Sequence, residues 1–123
     1  MERTFTGMKW LNLDNEDLLL RLRNLSESQP ILIFKHSTRC GISSTALNRL
    51  EREWNDMLPI QPYLLDLLKY RELSQGISQL FGVEHQSPQV ILVNQGKAIY
   101  HSSHLDIRYR EILKAVESVT KQN

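Results

Sequence analysis

A short, continuous apolar segment, residues 31–34 (ILIF), lies between Pro30 and a polar stretch over residues 36–39. Apolar residues at every position of so short a run are typical of a strand that is buried on both faces of a sheet. From Cys40 onward the apolar residues recur at helical spacing, and a second strand is predicted over residues 60–66. A strand, a helix and a further strand in this order form a right-handed crossover between parallel strands, which indicates an α/β fold.

The rest of the chain adds three helices and a hairpin. Pro88 begins an apolar strand, and Asn94-Gln95-Gly96 turns the chain into the next one, since glycine accepts the positive φ of a tight turn. In chain order, the pattern predicts a helix over 14–28, a helix over 70–81, strands over 89–93 and 97–101, and a helix over 105–120. The helical residues predicted to face the core are Leu18, Leu22, Leu25, Leu47, Leu50, Trp54, Leu73, Ile77, Leu80, Phe81, Leu105, Tyr109, Ile112 and Val116.

This order of elements predicts a single domain over residues 1–123 with a thioredoxin-like α/β fold. Its four-stranded mixed sheet has helices on both faces, because the crossover is parallel and the later hairpin is antiparallel. Pro62 cannot donate to a sheet ladder, so its strand is placed at a sheet edge or starts late. Residues 3–6 are candidates for a short additional edge strand.

The composition narrows the classes of partner. With 41% apolar residues in a chain of 123, the core needs neither disulfides nor a structural metal. The net charge is +1 and the basic residues are scattered, so we expect no nucleic-acid partner. The first residues do not resemble a signal peptide, and no segment is long and apolar enough to cross a bilayer. We therefore expect a cytoplasmic protein that does not bind membranes, in which a single cysteine suits a reducing compartment.

Cys40 is the residue that most directly indicates chemistry. It lies where a buried strand gives way to a helix, and the free amides and the dipole of a helix start stabilise an anion. A thiolate is such an anion, and it is the nucleophile of thiol–disulfide exchange. The opposite interpretation is an inert core thiol, since cysteine is among the most buried residue types. The neighbours Thr38, Arg39 and Gly41 are not an apolar stripe, which favours the reactive interpretation.

The motif Cys40-Gly41-Ile42-Ser43 restricts this cysteine to monothiol chemistry. A dithiol redox protein carries its second cysteine at position 43, where that thiol resolves a mixed disulfide. Ser43 cannot do so, and a second molecule must therefore reduce an adduct on Cys40. Ser43 itself is either a hydrogen-bond donor toward the sulfur or a residue that is comfortable near a helix start.

Ser87-Pro88 is a second signal. A proline just before a buried strand, well after the reactive helix, stands where a thioredoxin-like fold has its cis-proline. The backbone groups beside it can pair with an extended substrate segment in the manner of an added strand. The alternative is an ordinary trans proline that starts a strand.

Three blocks of sequence resemble the YtxJ-like monothiol bacilliredoxin family: residues 34–43 (FKHSTRCGIS), 83–89 (VEHQSPQ) and 103–107 (SHLDI). The resemblance implies a thiol–disulfide oxidoreductase of the oxidative stress response, in which Cys40 removes bacillithiol from bacillithiolated proteins and holds it until another reductant acts. Bacillithiol, a low-molecular-weight thiol, would be a co-substrate with no cofactor bound, and the protein a monomer or weak dimer that turns over slowly or acts stoichiometrically. The residues expected to bind or tune the thiol are His36, Thr38, Arg39, Gly41, Ser43, His85, Ser87, Pro88 and His104.

Other functions fit parts of the sequence. The motif at Cys40 is similar to the CGFS motif of monothiol glutaredoxins, which bind or transfer a 2Fe–2S cluster held between two subunits. Ile42 replaces the aromatic residue of that motif, and the segment 101–104 (HSSH) is not a Gly-Gly-Asp type of loop. A second alternative is a non-catalytic thioredoxin-fold adaptor. His101 and His104 have the spacing of a ligand pair, but no third ligand is evident, so we expect no metal site.

Overall fold

Six strands form one mixed sheet in the computed structural model, which describes residues 2–5, 8–55 and 58–120. In chain order they are β1 (Glu2–Phe5), β2 (Met8–Asn12), β3 (Ile31–His36), β4 (Gln61–Asp66), β5 (Gln89–Asn94) and β6 (Lys97–Ser103). Their order across the sheet is β1-β2-β4-β3-β5-β6. β4 runs parallel to both β2 and β3, whereas the pairs β1–β2, β3–β5 and β5–β6 are antiparallel.

Helices cover both faces of this sheet. They are α1 (Glu16–Ser28), α2 (Gly41–Glu53), α3 (Arg71–Phe81) and α4 (Tyr109–Thr120), and a 3₁₀ helix (His104–Asp106) precedes α4. α1 and α3 share one apolar cluster with Ile31 and Ile33, and α2 and α4 share the other with Leu32 and Phe34. Successive side chains of β3 therefore enter two different cores, which is why its apolar run is continuous.

The predicted thioredoxin-like fold is confirmed, but its count of four strands is too low. β1 and β2 extend the sheet beyond β4 as an antiparallel pair. Met8 and Trp10 of β2 are fully buried, Lys9 between them is exposed and Leu11 is 36% exposed, so the apolar residues of this short strand do not alternate regularly in the sequence. The suggested edge strand over residues 3–6 corresponds to β1, although Thr6 lies outside the described residues.

The placement of Pro62 at a sheet edge or in a strand that starts late was wrong. Pro62 lies inside β4, a central strand, opposite Leu32 of β3. The N–H of Gln61 donates toward β3, to the carbonyl of Pro30 (3.1 Å), and successive backbone amides point to opposite sides. The nitrogen of Pro62 thus faces β2, whose pairing with β4 begins only at Tyr63, so no ladder hydrogen bond is lost.

The inner face of α1 also differs from its prediction. The buried residues are Leu19, Leu22 and Ser26, whereas Leu25 is 38% exposed. The helix begins after Asn15, whose side chain accepts a hydrogen bond from the N–H of Leu18 (2.8 Å). Leu18 is partly buried and packs against the same cluster, so the contacts of α1 with α3 and the sheet select its inner face.

The last helix starts four residues later than predicted. Ile107 has an extended backbone (φ −72°, ψ 108°), which an α-helix cannot contain, so residues 104–106 form a separate 3₁₀ helix before α4. Leu105, predicted to face the core, is consequently 51% exposed. Ile112 and Val116 are buried as predicted.

Candidate functional site

Cys40 immediately precedes α2 and has an extended backbone (φ −109°, ψ 121°). Its N–H donates to the carbonyl of Ser37 (3.2 Å), and its carbonyl accepts the first helical hydrogen bond from the N–H of Ser44 (3.1 Å). The side chain is a free, partly exposed thiol. A thiol that reaches solvent beside the free amides of a helix start is placed as a nucleophile requires, not as an inert core residue.

Ser43 is fully buried, and its hydroxyl contacts only interior groups among the described residues. Its Oγ accepts the N–H of Ser37 (3.0 Å) and lies 2.6 Å from Nδ1 of His36. His36 is the last residue of β3, not part of the following loop as the sequence suggested, and its ring is nearly buried. Of the two roles left open for Ser43, these contacts support anchoring of the helix start, because the hydroxyl is engaged by β3 and its loop.

The other neighbours of Cys40 are open to solvent. Thr38, Arg39 and Gly41 are exposed, and so is Ile42, at 47%. A Cβ atom built on Gly41 would have no atom within 4 Å. The surface around the thiol can therefore admit a bulky disulfide partner without displacing the chain.

Pro88 lies at the same end of the sheet as Cys40. Lys35, one residue before the end of β3, is opposite Gln89 of β5, so Pro88 lies beside the strand end that leads to Cys40. The Ser87–Pro88 peptide bond is cis, as predicted. Within the described part of the chain, the N–H and C=O of Ser87 form no hydrogen bond, so both are available to another backbone.

His104 lies at the same end of the sheet as Cys40 and Pro88, and a backbone hydrogen bond holds it there. Its N–H donates to the carbonyl of Pro88 (2.9 Å), and the 3₁₀ helix that it begins contacts α2. Its ring is exposed. The segments that contain Cys40, Pro88 and His104 are therefore neighbours, as the sequence predicted.

His85 lies on the opposite face of the sheet from α2. Its Nδ1 is 3.2 Å from Nζ of Lys35 and 3.3 Å from Oγ of Ser74 on α3. Burial, and after it the charge of Lys35, lowers the pKa of His85 below its usual 6.5. The predicted approach of His85 to the thiol is not seen, because its contacts are with Lys35 on β3 and Ser74 on α3.

Lys35 and Gln89 are not among the site residues that the sequence predicted. Both belong to strands, face the α1 and α3 side of the sheet, and are 0% and 1% exposed. Burial lowers the pKa of Lys35 to about 8. In the sequence each is marked only as a polar residue next to an apolar strand: Lys35 follows residues 31–34, and Gln89 precedes residues 90–93.

Among the described residues, no group of three or more His, Cys, Asp or Glu side chains is arranged to hold a metal ion. In the same part of the chain, no helix combines the length and apolar character that crossing a bilayer requires. A cluster shared between two copies stays a hypothesis.

Solved structures share this fold. A protein described as having a thioredoxin fold superposes with a TM-score of 0.75 at 24% sequence identity, over 85% of this chain and 91% of that one. Thioredoxin from Trypanosoma brucei brucei gives 0.73 at 13% identity, over 97% and 96% of the two chains. The thioredoxin Mala s 13 from Malassezia sympodialis gives 0.70 at 12% identity, over 94% and 95%. Identities this low show the fold alone.

A family comparison adds the chemistry that the fold leaves open. The model described as "Monothiol bacilliredoxin BrxC" matches residues 11–112, a range that contains the whole segment from His36 to His104. Two findings support thiol–disulfide exchange as the general activity. The thioredoxin fold places Cys40 at a helix start, and the matched family consists of monothiol proteins. Because the match covers most of its residues, the chain belongs to the monothiol bacilliredoxin family.

Proposed function

We propose that the protein removes bacillithiol from protein mixed disulfides, with Cys40 as the nucleophile. The Cys40 thiolate attacks the bacillithiol sulfur of the mixed disulfide. A Cys40–bacillithiol disulfide forms, and the repaired protein leaves as its thiolate, so that one disulfide replaces another with no net oxidation. A separate thiol must then attack the Cys40 adduct to restore the free protein.

The observation that carries the proposal is the bonding of Ser43. A buried hydroxyl held by the Ser37 N–H and by His36 stands at position 43, where a dithiol redox protein has its resolving thiol. The chain has one cysteine, so the adduct persists until a second molecule reacts with it. An enzyme that holds a small thiol between two bimolecular steps suits the repair of proteins capped under oxidative stress.

Substrate proteins are proposed to approach over the loop beside Pro88. The free N–H and C=O of Ser87 can pair with an extended backbone segment next to the mixed disulfide. Exposed Ile42 and Leu105 offer apolar contacts at the same end of the sheet, because the 3₁₀ helix contacts α2. The proposed location is the cytoplasm, a reducing compartment in which mixed disulfides do not persist.

The test is transfer of the adduct between two proteins. Reduced protein is incubated with a model protein that carries a bacillithiol mixed disulfide, and the intact masses of both are followed over time. Cys40→Ser is the inactive variant, and the same model protein capped with glutathione tests the choice of thiol. We expect the bacillithiol mass to move to the wild-type chain only, and faster than glutathione does.

Two results would contradict the proposal. If glutathione moves at least as fast as bacillithiol, the exchange chemistry stands and the assignment of the thiol fails. If neither adduct moves, exchange itself fails. Anaerobic reconstitution with iron and sulfide, followed by visible absorption, then tests the glutaredoxin-like cluster, and a colourless product favours the adaptor.

A further inference from the structure

Lys35 is a buried ammonium group with three neutral hydrogen-bond partners. Its Nζ lies 3.0 Å from the carbonyl of Ser74, 3.1 Å from Oγ of Ser78 and 3.2 Å from Nδ1 of His85. Within the described residues no carboxylate pairs with it. A charge buried without a counter-ion lowers stability unless its donors are satisfied, and here three acceptors engage the three donors of Lys35.

The bond to His85 determines the state of that imidazole. An ammonium can only donate, so Nδ1 of His85 must accept and carries no proton. The neutral ring then holds its proton on Nε2, and the residue as a whole is exposed. His85 therefore ties the loop over residues 84–88 to Lys35 on β3 and to Ser74 on α3.

Gln89 holds the same loop from a second point. Its buried side-chain amide donates to the carbonyl of Glu84 (2.9 Å) and accepts the N–H of Gln86 (3.4 Å). Lys35 and Gln89 are opposite each other in the β3–β5 pair and face the same side of the sheet. The loop that ends at Pro88 is thus fixed by polar bonds from two adjacent strand residues.

We propose that Lys35, acting through His85, and Gln89 clamp the loop over residues 84–88 from beneath, and that this clamp positions Ser87 to pair with protein substrates at Cys40. The inference rests on the proposed function. Lys35, His85 and Gln89 are positioning residues, because none of them contacts the thiol. Small disulfides, which need no backbone pairing, do not depend on the clamp.

The clamp is also sensitive to acid. Protonation of His85 on Nδ1 removes the acceptor and places a second positive charge next to Lys35. The other charged groups near the ring are Arg71 at the start of α3 and Glu84 in the loop, while Leu67 and Leu68 before α3 bring no charge. Burial and Lys35 lower the pKa of His85, so the clamp releases only below pH 6.5.

The experiment compares two donors for each variant: a bacillithiolated protein and bacillithiol disulfide. The ratio of their transfer rates cancels any change in the reactivity of Cys40 itself. Lys35→Met keeps the length of the side chain and should lower this ratio about tenfold, as should His85→Ala, because misplacement of a binding group by about 1 Å weakens positioning strongly. Lys97→Met, at an exposed residue on the far end of β6, is the matched control and should leave the ratio unchanged.

Rescue and hydrogen exchange separate positioning from general damage. His85→Asn retains an acceptor near Nδ1 and should preserve the ratio at neutral pH while removing its fall below pH 6.5. Amide exchange of Gln86, whose N–H donates to Gln89 in the wild type, should be faster in Lys35→Met. A ratio that is unchanged in both Lys35→Met and His85→Ala overturns the clamp, whereas a wild type that accepts from neither donor overturns the proposed function instead.

Discussion

Oγ of Ser43 lies 2.6 Å from Nδ1 of His36, and both side chains are buried. This contact joins the first turn of α2 to the end of β3, on either side of the loop that presents Cys40. The N–H of Ser37 shares the same oxygen. A cysteine at position 43 would form weaker hydrogen bonds with these two groups. The serine therefore holds the loop more firmly than a resolving cysteine would.

Replacement of that serine by cysteine should change the product of the reaction. In Ser43→Cys, the introduced thiol can attack the Cys40–bacillithiol disulfide, which yields an internal disulfide and free bacillithiol. Intact mass after exchange should then show a chain two hydrogens lighter than the reduced form and without adduct. Ser43→Ala is the control, and it should retain the adduct and lose about 1–3 kcal/mol of unfolding free energy from the broken hydrogen bonds. Persistence of the adduct in Ser43→Cys would contradict the assigned geometry.

Gly41→Pro should stabilise the protein. Gly41 is the first residue of α2, its N–H has no acceptor in the part of the chain that the structure describes, and a side chain there meets no atom within 4 Å. Cys40 already has the extended backbone that the residue before a proline requires. We expect a gain of about 0.4–1 kcal/mol in urea unfolding, because proline restricts the unfolded chain. Gly41→Ala is the comparison, and a loss of stability in Gly41→Pro would contradict the open site.

Lys35 should make stability rise with pH above neutrality. Its pKa is lowered to about 8 in the folded protein, so between pH 8 and 10 the unfolded chain binds more protons than the folded one. The free energy of unfolding should therefore increase by up to about 3 kcal/mol across this window. Burial raises the pKa of Tyr63 and Tyr109, which reverses the trend above pH 10.

The measurement is urea unfolding at a series of pH values for the wild type and Lys35→Met. The variant should show little rise between pH 8 and 10 and should be at least as stable as the wild type at pH 7, because it no longer buries a charge. Lys97→Met is again the control and should follow the wild-type curve. Parallel curves for the wild type and Lys35→Met would show that another group causes the rise.

Ser26→Ala should weaken the contact between α1 and the β5–β6 turn. Ser26 is fully buried, its Oγ donates to the carbonyl of Arg23 (2.7 Å), and the same oxygen accepts the N–H of Gly96 (2.8 Å). Loss of that acceptor should cost about 1–2 kcal/mol in urea unfolding. Ser118→Ala removes an exposed hydroxyl from α4 and should change stability by less than about 0.5 kcal/mol. Equal effects of the two substitutions would contradict the role of Ser26.

Local sequence predicted the elements whose signals are local. The apolar run at residues 31–34 indicated a strand buried on both faces, and both faces are indeed covered. Positive φ angles at Gln95 and Gly96 confirm the hairpin that Asn94-Gln95-Gly96 predicted. The inner face of α1 was harder to predict, since leucines surround that helix and only its packing against α3 and the sheet selects which of them turn inward.

By itself, the sequence determined the fold class, the position of the single cysteine at a helix start, and the absence of a second thiol that could resolve an adduct, because each depends on residue order along the chain. Only the tertiary structure decided that Ser43 bonds to His36 and that Lys35 holds His85. These pairs are 7 and 50 residues apart, and they face opposite sides of the sheet. Which side a polar strand residue faces, and what meets it there, depends on strand register and helix packing, which no local pattern encodes.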